Sequence, residues 1–502
     1  MNDTSLASAR RYRFSPLVKT GLFGAMPTSQ VVVLAVGCGM SFVGILLRVF
    51  PWALLPALAA GVVAFKRVGG WALHEIIPLK VAWLLRRRHH RWFRPVPLLA
   101  PNELAREELP AAMSGLRLLD VDASWVTAPG RLAGIGVVHD VASGLLTGVL
   151  RVSGDGQFSL TSADAQDGRV ALWGEALAGF CRERLTVCRI AWQEWSTSIS
   201  VEAGLPADGE SRNGQFTAAA DDYVELITHA APRSVTHDTL VSLTVDLAAV
   251  PTRRSRPVDA VAGALQLLVE ELRLFTARLE GAGLRVEPPL SPSELTLAVR
   301  SRSGPFAESQ STALSTSLAR GLGVTAGDLA PMVVAESWDH VRVDRSIHRS
   351  WWVDGWPRLE VPAAWMDLLL LGGDCTRTVT IVFEPISPSQ ASRAVDEASV
   401  ALESAEAAKS KRGFRIRASE RRLREEVERR EHELVAGYGD LAYCGLVSVA
   451  GRSLDELDDA AADFEQSAAH AGVQLRPLEG RHGTGWVAGL PLGRTLAARR
   501  NR

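Results

Sequence analysis

The stretches VVVLAVGCGMSFVGILL (Val31–Leu47) and VFPWALLPALAAGVVAF (Val49–Phe65) follow one another with a single charge, Arg48, between them. A helix crosses the hydrocarbon of a bilayer with about 20 apolar residues, within a range of roughly 17–25. Each run sits at the short end of that range, so Gln30, Arg48 and Lys66 are expected to snorkel to the interface and complete the span. Pro51 and Trp52 fall where the turn belongs. Tryptophan favours the headgroup level, and a proline at the start of a helix removes no needed hydrogen bond. The expectation is a hairpin of two transmembrane helices over residues 30–66.

Its orientation follows from the cations. Arg10, Arg11, Arg13 and Lys19 precede the hairpin, and Lys66, Arg67, Lys80, Arg86, Arg87, Arg88, Arg91 and Arg94 follow it. Cationic loops stay on the cytoplasmic side. Both termini are therefore expected in the cytoplasm, with two helices in the inner membrane and only the turn around Pro51 outside. A cleaved signal peptide fits less well, because a second apolar run follows at once with no small-residue cleavage site.

Residues 67–100 read as a basic amphipathic segment. Trp71, Ile76, Ile77, Leu79, Val81, Trp83 and Leu84 supply apolar surface for the headgroup layer, and RRRHHR (86–91) supplies charge. Each cation near an anionic surface contributes about 1 kcal/mol. Lys66, Arg67, Arg86, Arg87, Arg88, Arg91 and Arg94 are thus the expected contacts to anionic lipid. No direct nucleic-acid binding is predicted, since the cluster abuts the apolar pair and the whole chain has a formal net charge of −1. His89 and His90 join this wet cationic face.

The remainder of the 502-residue chain suffices for two or three domains. After a tail at 1–29, the divisions read from sequence are cytosolic α+β domains at 101–335 and 336–502. Five scattered cysteines (Cys38, Cys181, Cys188, Cys375, Cys444) without metal spacing fit reduced, structural thiols. Strands are expected at 132–138, 145–152, 185–195, 239–247, 340–345, 349–353, 376–383, 441–449 and 473–478. Helices are expected at 171–181, 221–229, 257–279, 362–371 and 453–471, with SPSE (291–294) opening another. Two charged helices from about 388–409 and 415–435 form a projecting hairpin, an insertion over 388–436. The fold class is a membrane-anchored α+β chain: cytosolic mixed α/β domains built as ferredoxin-like repeats, the block at 130–300 being a degenerate copy of the second.

The sequence is poor in catalytic signatures. A P-loop needs a lysine after glycine. The five lysines (Lys19, Lys66, Lys80, Lys409, Lys411) never follow one, so no Walker A motif exists. GRHGTG (480–485) reads as a flexible connection. Asp339, His340, Asp344 and His348 on strand-like sequence read as solvent-paired rather than as metal ligands, and Asp221–Asp222 as an acidic helix start. No catalytic residue, metal or cofactor is expected. Trp351, Trp352 and Trp356 are candidate interface anchors, and Leu423, Val427 and Leu434 mark a partner-facing stripe.

RYRFSPLVKTGLFGAMPTSQ (11–30 within the opening) running into the apolar pair, GVLRVSGDG (148–156), DDYVELITHAAPRS (221–234) and GVQLRPLEGRHGTGWVAGLPLGR (472–494) together resemble an actinobacterial family of membrane proteins found with conjugation-like and secretion ATPases. The layout is similar to a PrgI-like two-helix subunit followed by the N-terminal domain of a TrbE/CagE-type conjugation ATPase. It also resembles EccE, a type VII secretion subunit. The resemblance implies a structural inner-membrane subunit that anchors and docks a separate secretion or conjugation ATPase and neighbouring membrane subunits, in a homo- or hetero-oligomer. A membrane-bound glycosyltransferase-like enzyme using Asp221 and Asp222 is the reading from another class.

Overall fold

The computed structural model describes residues 12, 14, 28–48, 52–68, 71–86, 90–94, 109–122, 134–198, 225, 235–249, 257–305, 326–373, 375–411 and 418–496. The protein is a mixed α/β chain with an apolar N-terminal helix and one large antiparallel sheet of 13 strands. Of the expected 221–229 helix only Glu225, which is helical, is described; Asp221 and Asp222 lie outside the described residues, as do Arg87, Arg88 and His89.

At the N-terminus, α1 (Thr28–Leu46) and α2 (Leu55–Phe65) run antiparallel, and α3 (Leu73–Leu85) follows after the two-residue strands β1 (Arg67–Val68) and β2 (Trp71–Ala72). β3 (Arg91–Phe93) then enters the large sheet at its edge. The expected juxtamembrane segment is thus divided between a helix and a strand of the body.

The body runs β4 (Leu116–Val121), β5 (Ile135–Asp140), β6 (Leu145–Ser153), α4 (Ala163–Ala178), β7 (Val187–Ser198), β8 (Val235–Asp246), α5 (Pro257–Gly281), β9 (Arg285–Val286) and α6 (Pro292–Ser303). It continues with β10 (Val333–Glu336), β11 (Val341–Val343), β12 (Ser346–Gly355), β13 (Thr376–Ile386), α7 (Pro388–Lys411), α8 (Ala418–Val435), β14 (Asp440–Gly451), α9 (Leu454–His470), β15 (Gln474–Pro477) and α10 (His482–Ala488).

Two stretches of this sheet share one order: β9-β6-β8-β7 in the first half and β15-β12-β14-β13 in the second. They meet where β7 pairs with β13, Gln193 opposite Thr380. The same sequence device closes each. Leu268, Leu272, Phe275 and Leu279 of α5 are buried at intervals that recur in Leu457, Ala461, Phe464 and Ala468 of α9. Each helix ends at a glycine with positive φ, Gly283 at 81° and Gly472 at 75°, the left-handed stop that L side chains resist. AGLRVEP (282–288) and AGVQLRP (471–477) follow, and the Leu290 and Leu478 N–H groups donate to Val149 and Ser350 at 2.9 and 3.0 Å.

Ser291 and Glu294 form the full capping box expected of SPSE. At α9 the Ser453 side chain accepts from the Glu456 N–H, while the Glu456 carboxylate takes the Arg452 N–H instead of closing the box. The expected 362–371 helix shrinks to a single turn, Asp367–Leu370. The buried Arg377 guanidinium takes its carbonyls, reaching Leu369, Leu370 and Gly373 at 3.1, 2.6 and 3.0 Å, so they are satisfied without further helix. GRHGTG is no flexible connection. It leads into α10, whose His482, Gly483, Gly485 and Trp486 are buried against the sheet.

Candidate membrane and partner interfaces

The contact between α1 and α2 is built of small residues. A Cβ on Gly37 would lie 2.2 Å from Ala60 Cβ, and one on Gly44 3.2 Å from Ala53 Cβ. At Gly37 only glycine permits such approach. Between these two contacts the Ser41 hydroxyl accepts the Ala57 N–H (2.9 Å) in the first turn of α2. Farther along, Gln30 Nε2 donates to the Ala64 carbonyl (3.1 Å). The large side chains face outward: Phe42 is 68% exposed, Leu46 73% and Leu58 69%. Among the described residues α1 alone is long and apolar enough to cross a bilayer, and the apolar stretch Trp52–Phe65 is shorter.

α3 joins this pair to the body. Its Trp71 flank lies under the Arg476 guanidinium (3.4 Å to the ring centroid), and Arg476 also pairs with Glu75. Trp83 meets Trp338 edge-on (5.7 Å between centroids), and Lys80 stands over the same Trp338 ring. Both indoles close on Gly480, whose φ of 64° and missing Cβ admit them. His90 is half-buried rather than wet, its Nε2 donating to the Trp83 carbonyl (2.8 Å) at the end of α3. Nearby, burial pushes the Glu336 carboxyl up, against the Gly483 N–H it accepts (2.9 Å). Burial, then the neighbouring Arg476 and Arg86, pull the Arg481 guanidinium down.

Of the expected lipid contacts, Lys66, Arg67, Arg86 and Arg91 are exposed. Arg94 is instead engaged with the body, 3.6 Å from Asp328 and bonded through its N–H to Met332. Of the expected tryptophan anchors, Trp351 is corrected. Trp351 is fully buried, its indole N–H on Glu465 (2.9 Å), and Trp352 packs against the cluster of Leu446, Leu478 and Ala488. Trp356 stacks on Phe14 at 5.3 Å beside Trp365 and Tyr443. Alternation on a strand cannot say which face of a sheet a second layer covers. Leu423, Val427 and Leu434 are half-buried in the α7–α8 pair, which Arg424 and Glu406 clasp at 2.9 Å. That pair leaves the sheet between Ile386 and Asp440, which are register partners.

The N-terminal tail reaches the body as well. Tyr12 exchanges both backbone hydrogen bonds with Val361 (2.9 Å each), and its hydroxyl donates to Asp167 (3.0 Å). Sequence offered no sign of these partners, nor of Arg476 beside Glu75, 401 positions away.

The histidines and acids that invite a chemical reading are otherwise employed. His348 is buried, its Nε2 donating to the Ser303 carbonyl (2.9 Å), and burial lowers it to about 4. Asp344, at φ 52°, accepts the Met332 and Val333 N–H groups. Glu194 and Ser196 approach His237 at 3.0 and 3.1 Å, but at the same ring atom, Nδ1. A relay from carboxylate to hydroxyl needs both ring nitrogens, so this cluster is a polar clasp between β7 and β8. Among the described residues no group of three His, Cys, Asp or Glu could hold a metal. No protein-family model and no curated protein matches the chain.

Proposed function

We propose that this protein is a non-catalytic inner-membrane subunit of an actinobacterial secretion or conjugation machine, anchored by α1 and α2 and docking a separate ATPase with its cytosolic body. The observation that carries the anchoring is the packing of the pair: glycine, serine and alanine inside, Phe42, Leu46 and Leu58 outside. Water does not tolerate such an exterior, whereas lipid does, and small seams with polar clasps are how helices associate there. A second observation supports two crossings. Tyr12 and Phe14, before α1, touch the body that follows α2, so both flanks of the pair lie on one side.

The two blocks with the order 4-1-3-2, counting strands from β6 and from β12, read as ferredoxin-like units. The α7–α8 arm is the docking element, since it projects from a β-hairpin that needs none of it to pair. The test is purification of the full chain in mild detergent from its own cells. A stoichiometric P-loop ATPase should accompany it and be lost when a short glycine turn replaces 388–436. An unchanged ATPase yield would remove the arm from docking, and absence of any ATPase with the intact chain would contradict the reading.

A further inference from the structure

We propose that α3 is an interfacial strut, one face bolted to the second block and the other seated in the headgroup layer of an anionic leaflet, so that the bilayer fixes the attitude of the body. The inference rests on the membrane reading above and adds to it a second, in-plane contact.

The geometry is two-sided. Towards the body, α3 and its flank place Trp71 and Glu75 on Arg476, and Trp83 on Trp338 and Gly480. On another face Ile77, Val81, Leu84 and Leu85 are all exposed, Leu85 at 82%. Their spacing of four, three and one gathers them into one stripe. A helix bonded along one side and bare along an apolar stripe has a second surface to cover.

Two observations name what covers it. The stripe is continuous with the bare apolar exterior of α1 and α2, because α3 packs directly on both. Charge agrees: Lys66 and Arg67 lie before the helix and Arg86 and Arg91 beyond it, all exposed, while its single carboxylate, Glu75, is turned to Arg476. Arg481 of the body lies within electrostatic reach of Arg86, adding to the positive field at that end. An apolar stripe rimmed by cations fits an anionic lipid surface, and its binding should grow with anionic lipid content. Because Trp83 and Trp338 are wedged at Gly480, the strut cannot swivel without displacing the segment that leads into α10.

The test uses the full chain with its five cysteines replaced, reconstituted in vesicles of phosphatidylcholine with or without phosphatidylglycerol. Nitroxide labels are placed by Leu84→Cys, by Val81→Cys and, as a reference in α1, by Phe42→Cys. Collision with dissolved oxygen is compared with collision with a water-soluble nickel chelate. Leu84 and Val81 should favour oxygen severalfold, more so with phosphatidylglycerol, and Phe42 should favour it in both vesicles. Phe42 in lipid with Leu84 and Val81 both in water would overturn the strut while leaving the membrane reading intact. All three in water would overturn both. Arg476→Ala should loosen the Leu84 label without moving Phe42, and an unaltered Leu84 signal would show that the body does not hold α3.

Discussion

The α1–α2 pair and the body obey one hydrophobic effect in opposite senses. In the body, Leu272, Phe275, Trp351 and Phe464 are enclosed, and the buried cations Arg189, Arg302 and Arg377 are held by carbonyls or a carboxylate. In the pair, Gly37, Ser41 and Ala60 are enclosed and Phe42, Leu46 and Leu58 lie outside. In water, large side chains gain by leaving the solvent, at about 25 cal/mol per Å² of apolar area. In lipid that gain vanishes between helices, and close backbone approach with satisfied polar groups takes over. The inversion argues for two solvents along one chain more directly than hydropathy alone.

Substitutions should therefore rank by region. Trp351→Ala removes a fully buried indole and leaves Glu465 without its donor, and should cost the body about 3–5 kcal/mol, read by thermal unfolding in detergent. If it costs under about 1 kcal/mol, the second block does not depend on this core.

Acid is the next strain on the body. His348 and His482 are buried as neutral rings, lowered to about 4 and about 3, below the ordinary value near 6.5. Between those values the unfolded chain binds more protons, so the stability is full above about pH 6.5 and falls as pH drops towards 4. Each ring contributes a slope of about 1.4 kcal/mol per pH unit. His348→Gln should remove one such share, and an unchanged slope would mean that this ring is not held neutral.

Within the pair the sensitive position is the smallest residue. Gly37→Leu drives a side chain into Ala60 and should weaken the α1–α2 contact by about 1–3 kcal/mol. The loss of a disulfide between Gln30→Cys and Ala64→Cys reads it, with body melting unchanged. Phe42→Ala, by contrast, should move neither measurement by more than about 0.5 kcal/mol. A large effect there would place Phe42 against protein and reverse the comparison.

Much of the body was legible because local signals agreed: the α5 and α9 stripes, the Ser291 box, the strands flanking the arm. What was not legible depended on distance or on faces. Trp351 and Trp352 alternate correctly for a strand, yet nothing local says that α9 covers one side and α10 the other. Arg94, in a run of cations, is drawn off by Asp328 far along the chain. The glycines of 480–485 suggested freedom, whereas Gly480 and Gly485 are needed because Trp338 and Ser350 leave no room for a Cβ. Arg476 carried no motif, and only the folded chain brings it to Trp71.

The central claim is that the inverted pair sits in lipid, and alkaline extraction of membranes from cells making the full chain tests it most directly. The account predicts that the chain stays in the membrane pellet, and that a variant lacking 28–65 is released. Recovery of the full chain in the alkaline supernatant would contradict it.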